Sequence, residues 1–316
     1  MSDFVQQQNS ICDFSTSDSW VILSPIEQSI KKKIEAVGTP LKDWNINIYR
    51  GVLTGYNEAF IINSEKRNEI LANCQTEEER KRTDELIRPI LRGRDIKRYG
   101  YDWNNLWLIY IPWHFPYQFD ESIQGASEKA ERAFKEQYPA VYSHMLQYKE
   151  PLSKRNKAET GIRYEWYAMQ RWGAKYWEDF FKPKIVWGEI SDRSKFAYEA
   201  NGKFIPEATT FLMTGTMLPY LFCILNSPLS EWFFSKVGTT TGVGTVRWKK
   251  YTILELLLPA ISPEQYTIFE NYVSSFLEGN YTSDIFSEKI NSEIYKIVGL
   301  SKDEISYITH YYPQMT

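Results

Sequence analysis

The stretch Ile87–Trp103, IRPILRGRDIKRYGYDW, gathers the residue types that grip an anion: Arg88, Arg92, Arg94, Lys97 and Arg98, followed by Tyr99, Tyr101 and Trp103. Between Arg80 and Arg98 eight basic residues face three acidic ones, a local charge of +5 in a chain whose formal charge is −3. A charge run is ordinarily a solvated surface. Here Gly93 interrupts the run and permits a tight loop. Arg also prevails over Lys in RGRDIKR, and a guanidinium forks onto phosphates and onto guanine edges in a way an ammonium does not. Two further sets interleave cations with rings: RYEWYAMQRW from Arg163, which includes Arg171, and TVRWKK from Thr245, which supplies Arg247, Lys249 and Lys250. Aromatic rings and guanidinium planes stack on bases.

Other chemistries find little in the sequence. The glycine-rich GTTTGVGT from Gly238 has no Gly-Lys-Ser/Thr after it and lacks dinucleotide-binding spacing. It reads either as a flexible loop or as a loop whose amides approach a phosphate, with Arg247, Lys249 and Lys250 just beyond. His114, His144 and His310 show no metal spacing, and no Gly-x-Ser-x-Gly elbow exists. Cys12, Cys74 and Cys223 are too few and too scattered for a disulfide framework or a zinc site, which fits a reducing, cytoplasmic setting. No apolar run reaches membrane-span length, and the amino terminus has no signal-peptide pattern, so no membrane partner is expected.

The elements that must position these residues read as α+β. Ser24 caps a helix with Pro25 in its first turn and Ile26, Ile30 and Ile34 in one stripe; Gly38 stops it. Ile46–Tyr49 suggests a strand, Gly51 and Gly55 a turn, and AFIIN a returning strand. Ser64–Glu85 suggests a helix or two on the surface, LWLIYIPW a strand, and Ser127–Lys154 a helix split at Pro139. KPKIVWGEI and KFAYEANGKFI read as strands with a turn at Asn201-Gly202. LPYLFCILNSPLSEWFFSKV reads as a buried helix or a helix pair, TVRWKKYTILELLLPAI as a strand and an approach to Pro263, and everything from Pro263 as helix. The expected organisation is a mixed domain over 1–262, with many short, mainly antiparallel strands, and a helical segment over 263–316 packing on it or on a partner.

The ordered motifs resemble one family. GVLTGYNEAFIIN, with Gly51, Thr54, Gly55, Asn57, Ala59 and Phe60, is similar to a conserved turn of the TaqI-like carboxy-terminal specificity domain of Type IIG restriction–modification enzymes. IRPILRGRDIKRYGYDWNNLWLIYIP is similar to the segment that follows it, through Arg88, Pro89, Leu91, Arg92, Gly93, Arg94, Asp95, Ile96, Arg98 and Tyr99. YPAVYSHMLQYKEPLSKR, KPKIVWGEIS, ILNSPLSEWFF, GTVRWKKYTILELLLPAIS and INSEIYKIVGLSKDEISYI continue the likeness in order, from about Trp20 to Tyr311. The departure is informative: the Asn-Pro-Pro-Tyr and glycine-rich cofactor motifs of the family's adenine methyltransferase domain are missing, as is a nuclease motif. The resemblance therefore implies a non-catalytic specificity domain or subunit, with no cofactor of its own.

What the resemblance implies is recognition of a sequence in double-stranded DNA, on behalf of a methyltransferase or nuclease domain in cis or in trans that uses S-adenosylmethionine. Arg88, Arg92, Arg94, Lys97, Arg98, Tyr99, Arg163, Arg171, Arg247, Lys249 and Lys250 are the expected DNA-binding residues. Gly51, Thr54, Gly55, Asn57, Gly93 and Asp95 are the expected structural motif, Asp95 holding Arg92 or Arg94 by an ion pair. Residues common to a recognition family do not set its varying specificity, so base readers are expected elsewhere, in Tyr164–Arg171 and Ser191–Lys195. The competing reading is a carbohydrate-binding or protein-interaction module, which would also be rich in aromatics.

Overall fold

The computed structural model describes residues 23–237 and 246–311. The expected glycine-rich loop at Gly238 and Cys12 lie outside them. The described chain forms two compact units. One takes residues up to Ile46, Ile190–Lys195 and the chain from Thr216; the other takes Asn47–Glu189 and Phe196–Gly215. The class is α+β, with short and mostly antiparallel strands.

In the Asn47–Glu189 unit, one sheet runs in the order Phe196–Glu199, Lys184–Gly188, Thr210–Gly215, Ile46–Arg50. The other runs Ile205–Pro206, Ile87–Leu91, Leu106–Ile109, Ile61–Asn63. Ile87, Ile90, Leu108, Ile109, Val186, Ile205 and Leu212 are buried in one core from both sheets. The surface helices Ser64–Ala72 and Glu77–Leu86 form where expected, capped by Asn63 and Thr76, whose side chains accept from Lys66 N and Glu79 N. The long helical stretch divides into Glu128–Gln137 and Pro139–Leu146, because Pro139 has no N–H to continue the ladder.

Three strand expectations are corrected. AFIIN is not a full strand: Asn57–Phe60 closes a helical turn, and only Ile61–Asn63 extends, pairing with Leu106–Ile109. In KFAYEANGKFI the strand Phe196–Glu199 and the turn at Asn201-Gly202 form, with Gly202 at φ +63°, but the chain beyond does not return on that strand: Ile205–Pro206 pairs parallel with Ile87–Leu91. The Glu199 carboxylate accepts from Asn201 N and Lys184 Nζ, which turns the chain away from its own strand. Among the described residues of TVRWKKYTI, Val246–Arg247 extend and Lys250–Ile253 form a helical turn.

In the unit containing the chain's later helices, Pro25–Val37 is closed by a capping box between Ser24 and Glu27 and buries Ile30 and Ile34. The oily stretch forms Leu218–Leu225 and Pro228–Val237, as expected of a helix pair. A helix does begin at Pro263, with Ser262 and Gln265 as its capping box, followed by Ser283–Val298 and Lys302–Tyr311. These helices pack together with Pro25–Val37 and Leu218–Leu225, so the compact unit extends well beyond the helical segment itself.

Glu304 ties two of these helices. Its carboxylate accepts from Lys33 Nζ at 2.6 Å, Ser29 Oγ at 2.7 Å and Ser301 N at 2.7 Å. Burial raises its pKa, but the bonds from Lys33, Ser301 and Ser29 outweigh it and hold the acid at about 2. A depressed acid stabilises the fold above its unfolded pKa and loses that contribution as pH falls toward the folded value. Glu304→Gln is therefore expected to lower stability at neutral pH and to flatten the acid limb between about pH 4.5 and 2, read by urea unfolding at a series of pH values.

Candidate nucleic-acid interface

The Arg-rich stretch is a short 3₁₀ turn, Gly93–Asp95, set at the end of the strand Ile87–Leu91. Its rigidity comes from Asp95, which is 2% exposed. Arg92 lays its fork on this carboxylate, Nε at 3.0 Å and Nη2 at 2.8 Å, while Arg92 N adds a bond at 2.9 Å and Asn104 Nδ2 another at 2.8 Å. Burial pushes the Asp95 carboxyl up, but these donors hold it below its ordinary value. Of the two arginines offered for this ion pair, it is Arg92 that Asp95 holds. Gly93 does not need a left-handed backbone. Its constraint is a close approach to Thr209: an added Cβ would sit 3.1 Å from Thr209 Oγ1 and 3.2 Å from its carbonyl oxygen.

With the turn pinned, Arg94 and Lys97 are exposed and Arg98 is half-buried, its guanidinium 5.1 Å from the Tyr99 ring centre. Arg88 lies half-buried over Phe181 at 5.3 Å. Tyr99 is 6% exposed, so its ring is not presented for stacking. Tyr101 and Trp103 pack edge-on against Phe204.

The turn from Gly51 to Asn57 is closely packed. Gly51 approaches the chain at Pro206 so closely that a Cβ would sit 2.2 Å from its carbonyl oxygen, and Gly55 takes φ +78°. Thr54 Oγ1 donates to Asn57 Oδ1 at 2.5 Å. Nothing in the sequence signals the residue that holds this turn. Arg155, 9% exposed, donates to the carbonyls of Thr54, Trp166 and Ala168. Burial lowers its pKa to about 10, still high enough to keep the charge. The same clamp explains why the second aromatic set misses its expected role: Tyr164, Trp166, Tyr167, Met169 and Trp172 are core residues. Arg163 is exposed but pairs with Glu159 at 2.7 Å over Trp113, and Arg171 Nη2 is bonded to Gly51 O at 3.1 Å. Tyr164, Trp166, Tyr167 and Trp172 therefore do not present their faces to a ligand.

In the other unit the structure joins two segments that lie more than fifty residues apart in sequence. Val246 pairs with Ser191 and Arg247 with Ile190 in an antiparallel ribbon, so Ser191–Lys195 lies beside Arg247–Lys250. Trp248 anchors the ribbon from behind, stacked on Phe234 at 3.9 Å between ring centres. Arg247 and Lys249 are half-buried and Lys250 is exposed. Glu231, fully buried, fixes the facing loop: it accepts from Arg193 Nε at 3.3 Å, Arg193 Nη2 at 3.1 Å and Ser194 N at 2.7 Å. Arg193 itself stays 45% exposed. Asp192 takes Lys195 at 2.6 Å, and that bond lowers its pKa. The Glu231 carboxylate thus fixes the plane of the Arg193 guanidinium through its Nε–Nη2 edge. Glu231 is a positioning residue the sequence does not mark, since its partner lies 38 positions away.

The described residues contain no group of His, Cys, Asp and Glu able to hold a metal ion, and no helix long and apolar enough to cross a membrane. The His114–Glu165 pair is a loop tie: Glu165 also accepts from His114 N and Ser127 N.

The described residues thus form an α+β fold with a pinned basic turn in one unit and a basic ribbon in the other. The profile of the TaqI-like C-terminal specificity domain matches residues 88–257, and the chain belongs to that family. Among solved structures, the Type IIL restriction–modification enzyme MmeI, determined in complex with DNA, superposes with a TM-score of 0.55 at 14% identity, over 88% of this chain and 36% of that one. The Type IIG restriction endonuclease BpuSI gives 0.48 at 12% identity, over 93% and 34%. The chain thus spans about a third of the length of either enzyme. A comparison with curated protein sequences gives no match.

Proposed function

We propose that this chain recognises a specific sequence in double-stranded DNA as the specificity part of a restriction–modification system. The observation that carries the reading is the concentration of cations on two rigid surface elements, in a chain of net negative charge that belongs to a specificity-domain family. Arg94, Lys97 and Arg98 on one element, and Arg247, Lys249 and Lys250 on the other, contact phosphates and set register without reading sequence. Arg193, held by Glu231, reads a guanine edge in the major groove, where a bidentate pair discriminates by about 1–3 kcal/mol. Arg92 and Arg171 hold the fold rather than the DNA, and Arg88, Arg163 and Tyr99 contribute less than their types suggest.

The catalytic work belongs to a methyltransferase or nuclease portion in cis or in trans. Adenine-N6 methylation requires the base to leave the stack, because the target nitrogen is not reachable inside the duplex. S-adenosylmethionine would be bound there, not by residues of this chain, whose part is to hold the flanking duplex. Fluorescence anisotropy with a random-sequence duplex pool over a salt series tests the reading. Affinity falling by about 0.9 log units per phosphate contact for each decade of salt, with one sequence enriched in the bound pool, is the expected result. A folded protein with no salt-dependent binding overturns it.

A further inference from the structure

We infer that Ile190 and Tyr251 contact the bases themselves and open a base step, so that the ribbon deforms the duplex as well as gripping it. This inference rests on the DNA reading above. Ile190 is 57% exposed and Tyr251 58% exposed. Single exposed apolar residues are common on protein surfaces, so exposure alone carries nothing. Their setting does. Ile190 lies directly across the ribbon from Arg247, so the two side chains share a face. Tyr251 has Lys249 Nζ 5.7 Å from its ring centre, and Lys250 adjoins it in sequence. Each large apolar group therefore stands beside a cation of the phosphate-gripping set.

This arrangement suits one kind of surface. A protein partner matching the apolar groups would have to desolvate the neighbouring cations. A duplex offers phosphates to the cations and, between them, base faces and edges to the apolar groups. Apolar side chains such as Ile enter a base step, unstack it in part and kink the helix, the cost being offset by the added contact. Tyr supplies a ring that stacks on any exposed base. A wedge also needs a stiff mount. Trp248, 2% exposed and stacked on Phe234 with only 8° between the rings, lies between Arg247 and Lys249. On the other strand, Glu231 fixes Arg193 and Ser194 just beyond Ile190. The ribbon thus presents Ile190, and the helical turn Lys250–Ile253 that follows it presents Tyr251, next to packed anchors.

The test uses the full chain and the duplex most enriched from the random pool, with 2-aminopurine placed at successive positions and dyes at the two ends. The wild type should raise 2-aminopurine fluorescence at one step and shorten the end-to-end distance. Ile190→Ala and Tyr251→Ala should lose that rise and bind about ten-fold more weakly, with the salt slope unchanged because no cation is removed. Both side chains are more than half exposed, so unchanged melting temperatures should accompany the loss. Salt-dependent binding with no fluorescence rise at any position, or variants that match the wild type, overturns this inference and leaves the DNA reading standing. Absence of salt-dependent binding by the wild type overturns both.

Discussion

Replacing Arg247, Lys249 and Lys250 together by alanine is expected to reduce duplex affinity by roughly five-hundred-fold at ~0.1 M salt, and the slope of log affinity against log salt by about 2.7. The slope follows from three phosphate contacts at about 0.9 each, and the affinity loss from one decade of salt below the 1 M reference. Sequence preference among duplexes should change little, because phosphate contacts fix register without carrying sequence information. The comparison that gives the experiment its force is Arg92→Ala. Arg92 is as basic as the others, but its fork lies on Asp95 and its side chain is only 16% exposed. Its removal should leave the slope nearly unchanged. It should instead lower stability by about 1–3 kcal/mol, the cost of a buried acceptor deprived of a partner, seen as a shifted urea midpoint. A triple variant with an unaltered slope would remove the ribbon from the interface; a slope reduced by Arg92→Ala would place the Asp95-bound fork within it.

The difference between these two sets of cations shows which parts of the molecule local sequence could reveal. Where the determining partner is a few residues away, the sequence is legible. Ser24 and Glu27 close their capping box across three positions, Pro139 interrupts its helix at the expected place, and Ser262 with Gln265 starts the final helical run. The Arg92–Asp95 pair is legible for the same reason. The outcome is different where the partner is remote. Arg155 reaches Thr54 across 101 positions, and Ser191 meets Val246 across the ribbon. The aromatic residues from Tyr164 to Trp172 have the composition of a stacking surface, but tertiary packing puts them in the core. Residue type specifies what a side chain is able to do. Whether it faces solvent, and so does it for a ligand, is decided by contacts that no local pattern encodes.

Lys184 is the extreme case of a cation withdrawn from any interface, and its removal should have the largest effect on stability. The residue is fully buried and donates to Glu199 Oε2 at 2.5 Å, Phe180 O at 2.9 Å and Lys182 O at 3.3 Å. Burial pulls its pKa down and the Glu199 carboxylate pulls it back only in part, leaving it below the ordinary value. Glu199, 1% exposed, also accepts from Asn201 N and sits at the edge of the sheet where Phe196–Glu199 pairs with Lys184–Gly188. Lys184→Met would leave that carboxylate buried without its cation, and removing one partner of a buried pair costs about 3–5 kcal/mol. The loss should appear as a lower denaturant midpoint with unchanged slope. The double variant Lys184→Met/Glu199→Leu takes out both charges and should recover most of the loss, since a buried ion pair and an apolar pair of similar volume are often close in stability. The Asn201 and Phe204 amides would then lack their shared acceptor, and the Phe180 and Lys182 carbonyls their donor. The single variant should also retain the salt slope for DNA under conditions where it is folded, because Lys184 holds two strands together and never reaches a phosphate. A double variant no more stable than Lys184→Met would mean that the lysine's bonds to the Phe180 and Lys182 carbonyls, rather than its charge pairing, hold this edge of the sheet.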